Sequence, residues 1–92
     1  MKTLFISHCM EYEAGWGSKP DGIVLSNDLV SLENFIKPYN NRTNGSHAMF
    51  WDYSKPEEIH CSDEDFYKIE FKDNLKHLKS IKNLDIKFYK EM

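Results

Sequence analysis

Arginine is almost missing from this chain. Arg42 is the sole arginine among 12 basic residues, which stand against 15 acids for a formal charge of -3. A protein that grips duplex nucleic acid neutralises phosphates with a clustered basic excess, so this balance argues against that class. The lysines gather in the C-terminal third, interleaved with acids, and read as a solvated face. A mimic of DNA would need a denser acidic surface. Two cysteines, Cys9 and Cys61, could form one bridge, but without a secretory leader both are expected as reduced thiols. Met1-Lys2 opens directly into Thr3-Leu4-Phe5-Ile6, too short for the apolar core of a secretory leader, and no run reaches the length of a membrane span. The expectation is a cytoplasmic protein with reduced thiols and no membrane contact. Internal repeats and low-complexity stretches are also lacking, so residues 1–92 read as one domain.

What is present in quantity is aromatic surface. Phe, Tyr and Trp make up 14% of the 92 residues, and large rings bury much area each, which helps a small core. One segment stands out: Glu13-Ala14-Gly15-Trp16-Gly17-Ser18-Lys19-Pro20-Asp21-Gly22. Three glycines and a proline fix an irregular backbone, and Pro-Asp-Gly is turn chemistry. An indole at position 16 of such a loop either plugs the protein's own core or meets a partner.

The expected elements follow from periodicity. Thr3 to His8 reads as a strand, and Ile23-Val24-Leu25 as a second. Ser26, Asn27 and Asp28 offer N-cap oxygens to a helix carrying Leu29, Leu32, Phe35 and Ile36 on one face. Pro38 is expected to end it. Tyr39 to His47 reads as a polar loop with an Asn-Gly turn signal. Ala48 to Ser54 alternates and reads as an inner strand with Trp51 in the core; extended structure resumes at Ile59 to Cys61. From Ser62 two readings compete. In the favoured one, Ser62 caps a long helix with acids in its first turn and Tyr67, Phe71, Leu75, Leu78 and Ile81 on one face. In the other, Tyr67, Ile69 and Phe71 alternate in a strand and a shorter helix begins near Asp73. Leu84, Ile86 and Phe88 alternate as a final strand. Together these predict an α+β domain: a small mixed sheet of three to five strands with two helices packed on it.

Three constellations bear on chemistry. His8-Cys9 and His60-Cys61 invite a zinc reading, but neighbours on a strand point to opposite faces, so each pair offers one ligand to a site. The plainer account is two buried thiols beside partly exposed imidazoles. No metal and no cofactor are expected. The second constellation is the loop Arg42, Thr43, Asn44, Gly45, Ser46, His47, a forked cation with hydroxyls and an open amide that suits phosphate or carboxylate; Ser18 and Lys19 would join it if both loops lie at one end of the sheet. The third is the rings flanking these loops, Tyr12, Trp16, Tyr39, Trp51 and Tyr53, which suit stacking on a base or peptide.

The run Tyr12 to Leu25, with Gly-Trp-Gly-Ser-Lys-Pro-Asp-Gly at its centre and Tyr53-Ser54-Lys55-Pro56 as a second element, resembles small uncharacterised accessory proteins of bacteriophages. The resemblance covers about half the chain, and its motif is structural. It implies a phage-type protein that binds host machinery or an immune signalling nucleotide, and no active site is implied.

The resulting expectation is a non-enzymatic binding protein that counters a host defence, most concretely by sequestering a small phosphorylated nucleotide. Tyr12 and Trp16 would stack on a base while Lys19, Arg42 and Ser46 take the phosphates, with Ser18, Thr43 and His47 completing the site. Two-loop clamping suits a homo-oligomer. A second expectation is an inhibitor that binds a host protein through an aromatic patch. A third is a small hydrolase using Glu13 or His47.

Overall fold

The first strand organises the molecule. β1 (Lys2–Glu13) pairs from Phe5 to Glu13 with β2 (Gly17–Ser26), and its other edge is shared by two short strands, β3 (Met49–Tyr53) and β4 (Glu57–Cys61). The computed structural model describes residues 1–13, 17–40 and 49–90. Helix α1 (Leu29–Asn40) follows β2, a single helical turn α2 (Asp63–Phe66) follows β4, and β5 (Leu75–Leu78) pairs with the outer edge of β2 before a 3-10 turn at Ile81–Asn83. The result is a five-stranded sheet, antiparallel at every pairing, with two helices: a small α+β fold, 45 Å long and 24 Å across.

Alternation along β1 divides the core in two. Leu4 and Ile6 point to one face and meet Ile23, Leu25, Ile59 and Cys61; Phe5 points to the other, where Val24, Leu32 and Ile36 are buried under α1. Burial of each large aliphatic side chain contributes about 1.5–3 kcal/mol, so these few residues carry the fold. α1 begins as its sequence indicates: the Asp28 carboxylate accepts from Ser31 N at 3.0 Å and Ser31 Oγ at 2.6 Å. It does not stop at Pro38 but runs to Asn40. A proline in the last turn removes one bond, and tertiary contacts hold the remainder. Tyr39 packs its ring 5.1 Å from that of Tyr53, and the Asn40 amide donates to Tyr53 O at 2.8 Å and accepts from Tyr53 N at 3.0 Å.

The C-terminal third departs most from expectation. Ser62 does cap a helix, accepting from Asp65 N at 3.1 Å beside three first-turn acids, but that helix is one turn long. The long helix would have buried Tyr67 and left Ile69 aside; instead Tyr67 is 73% exposed and Ile69 only 6%. Asp73 and Asn74 both take positive φ, 53° and 68°, between residues Lys72 and Leu75 that exchange backbone hydrogen bonds, a tight two-residue turn that no helix can contain. Neither a strand through 67–71 nor a helix from Asp73 forms. Leu84, Ile86 and Phe88 are not a strand either: they dock one by one on the sheet, and only the Tyr89 backbone pairs, with His60 at 2.7 and 2.8 Å. Ile69, Phe71 and Ile81 join them in covering the face opposite α1.

Two further corrections concern the other half. The glycine-rich segment is β-ladder rather than irregular loop on both sides of residues 14–16: Glu13 pairs with Gly17 and Met10 with Pro20. Pro20 is tolerated because β5 reaches only as far as Ile23, leaving β2 an edge there. β3 is an edge strand, not an inner one, and Trp51 lies at the surface, 37% exposed.

Candidate functional site

Beyond the reach of α1 and β5, the ends of β1, β2 and β3 form a three-stranded arm. A bulge marks its root. His8 pairs with Ile23 and Met10 with Pro20, so Asp21 and Gly22 together stand opposite Cys9. Gly22 sits at φ 94°, and a Cβ there would lie 2.7 Å from the Leu78 carbonyl oxygen. Glycine is required for β2 to approach β5 this closely.

Register then assigns side chains to faces, since directly opposed residues of an antiparallel pair share one. Tyr53 lies opposite Cys9, Trp51 opposite Glu11, and Glu11 opposite Lys19, all on the α1 side of the sheet. Met10 lies opposite Asp52 and Pro20, and Tyr12 opposite Ser18, on the reverse side. On the α1 side, the Trp51 indole N–H donates to Asp21 Oδ2 at 2.8 Å across the width of β1. Phe35, Tyr39 and Tyr53 continue the aromatic surface from there, with ring centroids 5.1–5.5 Å apart.

The expected ligand site is only partly brought together. Trp16, Arg42, Thr43, Ser46 and His47 lie outside the described residues. Glu13, Gly17 and Met49, which border the two segments, occupy one end of the sheet, the condition under which both could contribute. Tyr12 and Ser18 share a face, but Lys19 is on the other, 3.6 Å from Glu11. The cleft beside it, about 80 Å³, is lined by Glu11, Glu13, Gly17, Ser18 and Lys19. Two carboxylates against one ammonium disfavour phosphate there.

The cysteines are structural in environment. Burial chiefly raises the Cys9 thiol above its ordinary pKa of 9.0, opposed by a hydrogen bond with the Tyr53 hydroxyl and reinforced by the charges of Asp21, Glu11 and Asp52. Burial also raises the Tyr53 phenol, with the Cys9 bond adding to it. Cys61 is raised by burial first, then by Asp65 and Asp63. Neither thiol has the depressed pKa of a nucleophile. His60 is buried, with Nδ1 3.3 Å from Thr3 Oγ1 and Nε2 3.2 Å from Glu58 Oε2. Among the described residues, no group of three or more His, Cys, Asp and Glu side chains is placed to hold a metal ion, and no helix is long and apolar enough to cross a membrane.

Sequence reasoning missed the Trp51–Asp21 bond and the approach of His77 and Lys79 to the root of the arm. The alternation of Trp51 and Tyr53 was a usable signal for their common face. The bulge that brings Asp21 within reach had only the Asp-Gly dipeptide to announce it. No family model matches the chain, and neither a curated protein nor a solved structure matches it.

Proposed function

We propose that this is a non-enzymatic binding protein that engages a partner protein through the α1-side face of its three-stranded arm. The observation that carries the reading is Trp51: a large ring at the surface of an edge strand, its indole N–H fixed by Asp21 and its flank continued by Tyr53 and Tyr39. Rigid Trp and Tyr side chains with a polar rim are the usual anchors of protein interfaces, because they bring much area at little entropic cost. Glu11, Lys19 and Asp21 supply the rim. In the setting that the resemblance to bacteriophage accessory proteins suggests, the partner is a host defence protein met in the host cytoplasm. Sequestration of a phosphorylated nucleotide by Tyr12, Trp16 and the Arg42–His47 segment is less favoured, because the described cleft beside Lys19 carries net negative charge.

Trp51→Ala tests the reading by affinity capture from host lysate alongside a thermal melt. Loss of an anchoring ring costs about 2 kcal/mol or more, roughly thirtyfold in affinity. The expected result is one stoichiometric partner retained by the wild-type chain and by Trp51→Phe, and lost by Trp51→Ala with its fold intact. Equal capture by Trp51→Ala, or a nucleotide recovered by mass spectrometry from the purified protein, would overturn it.

A further inference from the structure

At the root of the arm, on the α1 side, the sheet carries a cavity of about 250 Å³ lined by Cys9, Asp21, Val24, Tyr53, His77 and Lys79, together with two neighbours on β2 and β5. The bulge creates it. With Asp21 and Gly22 set against the single residue Cys9, β2 leaves the regular ladder just where β5 ends, and side chains from four strands surround the gap. The floor is apolar, made by the buried Val24 and Cys9 side chains. Two rings form the sides: Tyr53, fixed edge-on to Phe35 at 5.5 Å, and His77, fixed edge-on to the same ring at 5.1 Å.

Charge defines what fits. Asp21 and Lys79 both line this one cavity, yet among the described residues neither is in an ion pair, with each other or with any other side chain. Asp21 spends one carboxylate oxygen on the Trp51 indole and keeps the other. Asp21 and Lys79, both exposed and not paired with each other, flank an apolar floor, an arrangement complementary to a molecule bearing both charges. Charge-assisted hydrogen bonds at two ends and a ring or aliphatic group between them give such a site its selectivity.

We propose that this cavity binds a small zwitterion of α-amino-acid size, its ammonium on Asp21, its carboxylate on Lys79, and its side chain between Tyr53 and His77. The site borders the arm surface proposed for a partner protein and shares Asp21 and Tyr53 with it, but binding of a small zwitterion is measured without any partner and does not depend on that reading.

The arrangement supplies its own reporter. The chain has two tryptophans, so Trp16→Phe leaves the indole bonded to Asp21 as the only one. Fluorescence of that variant is titrated with L-phenylalanine and L-leucine, and then with phenethylamine and 3-phenylpropanoate, which lack the carboxylate and the ammonium respectively. The expected result is saturation by at least one amino acid in the millimolar range or below, with each single-charge analogue about tenfold weaker than L-phenylalanine. Asp21→Asn, which keeps an acceptor for the indole, should reduce L-phenylalanine to the level of 3-phenylpropanoate. Lys79→Met should reduce it to the level of phenethylamine. Absence of saturation by both amino acids, analogues that bind as well as the zwitterion, or indifference to both substitutions in folded protein would overturn the proposal.

Discussion

Gly22→Ala is expected to be among the most damaging single-methyl changes in this protein, and a second glycine provides its control. Both Gly17 and Gly22 have positive φ, 90° and 94°, so an alanine at either is strained to a similar degree. That backbone term is about 1–2 kcal/mol. The two differ in surroundings. A Cβ at Gly17 meets nothing within 4 Å, whereas at Gly22 it would stand 2.7 Å from the Leu78 carbonyl oxygen. The acceptor is backbone, so relief requires moving the end of β5 or opening the bulge, and such overpacking costs about 1–3 kcal/mol more. Gly17→Ala should therefore lose about 1–2 kcal/mol and Gly22→Ala about 2–5, out of a total of roughly 5–14 for a chain of this length. Urea unfolding followed by tryptophan fluorescence and by far-UV circular dichroism measures both. The midpoint should fall further for Gly22→Ala at unchanged slope. If the two variants unfold together, the close approach of β2 to β5 is not a constraint, and the account of the bulge and its cavity is wrong.

Other perturbations follow from single contacts. Ser26 is buried, its Oγ lying 2.7 Å from Asp28 O and 2.8 Å from Asn74 O while accepting from Asp28 N at 3.0 Å; Ser26→Ala leaves those groups short of a partner and should cost about 1–3 kcal/mol in the same urea experiment. The Asp28 carboxyl is held below its ordinary 3.8 by its bonds to Ser31, so its contribution is complete above that pH and is lost as pH falls through the lower folded value; Asp28→Ala should flatten this part of the acid limb of a stability–pH curve, and an unaltered limb would refute the cap. Cys9 and Cys61 are buried with thiols raised above 9.0, so their contribution is complete below that pH and is lost as pH rises past it toward their folded values. At neutral pH, Ellman's reagent should react slowly with the native protein and fully after unfolding; a rapid native thiol would contradict the assigned environments.

The legible parts of this fold were those where one local signal and the core agreed. Leu4, Ile6 and Ile23 to Leu25 are short β-branched or aliphatic runs that sit where such runs belong, and the caps of α1 and α2 are local chemistry at Asp28 and Ser62. Residues 66–88 were illegible for a definite reason. Their apolar spacing satisfies a helix, and nothing local states that Ile69 rather than Tyr67 meets the sheet. The deciding elements were the Asp73-Asn74 turn and a large apolar sheet face to cover, and only the first was written in the sequence. For the candidate site, what the sequence offered was strand alternation. Trp51 and Tyr53 were placed on one side of a strand, but Lys19 and Tyr12 were joined across a period of two that sends them to opposite faces.

The amide of Asn40 has a consequence for solubility. By bonding both backbone groups of Tyr53, a side chain at a helix tip acts as a counterfeit strand, and the sheet cannot extend past that point while the helix stays wound. Fraying of the last helical turn would release the backbone of Tyr53 at the end of an aromatic-rich edge strand, and bare edges of that kind seed fibrils. Damage to this helix end would thus be felt first as precipitation, well before the domain as a whole had melted.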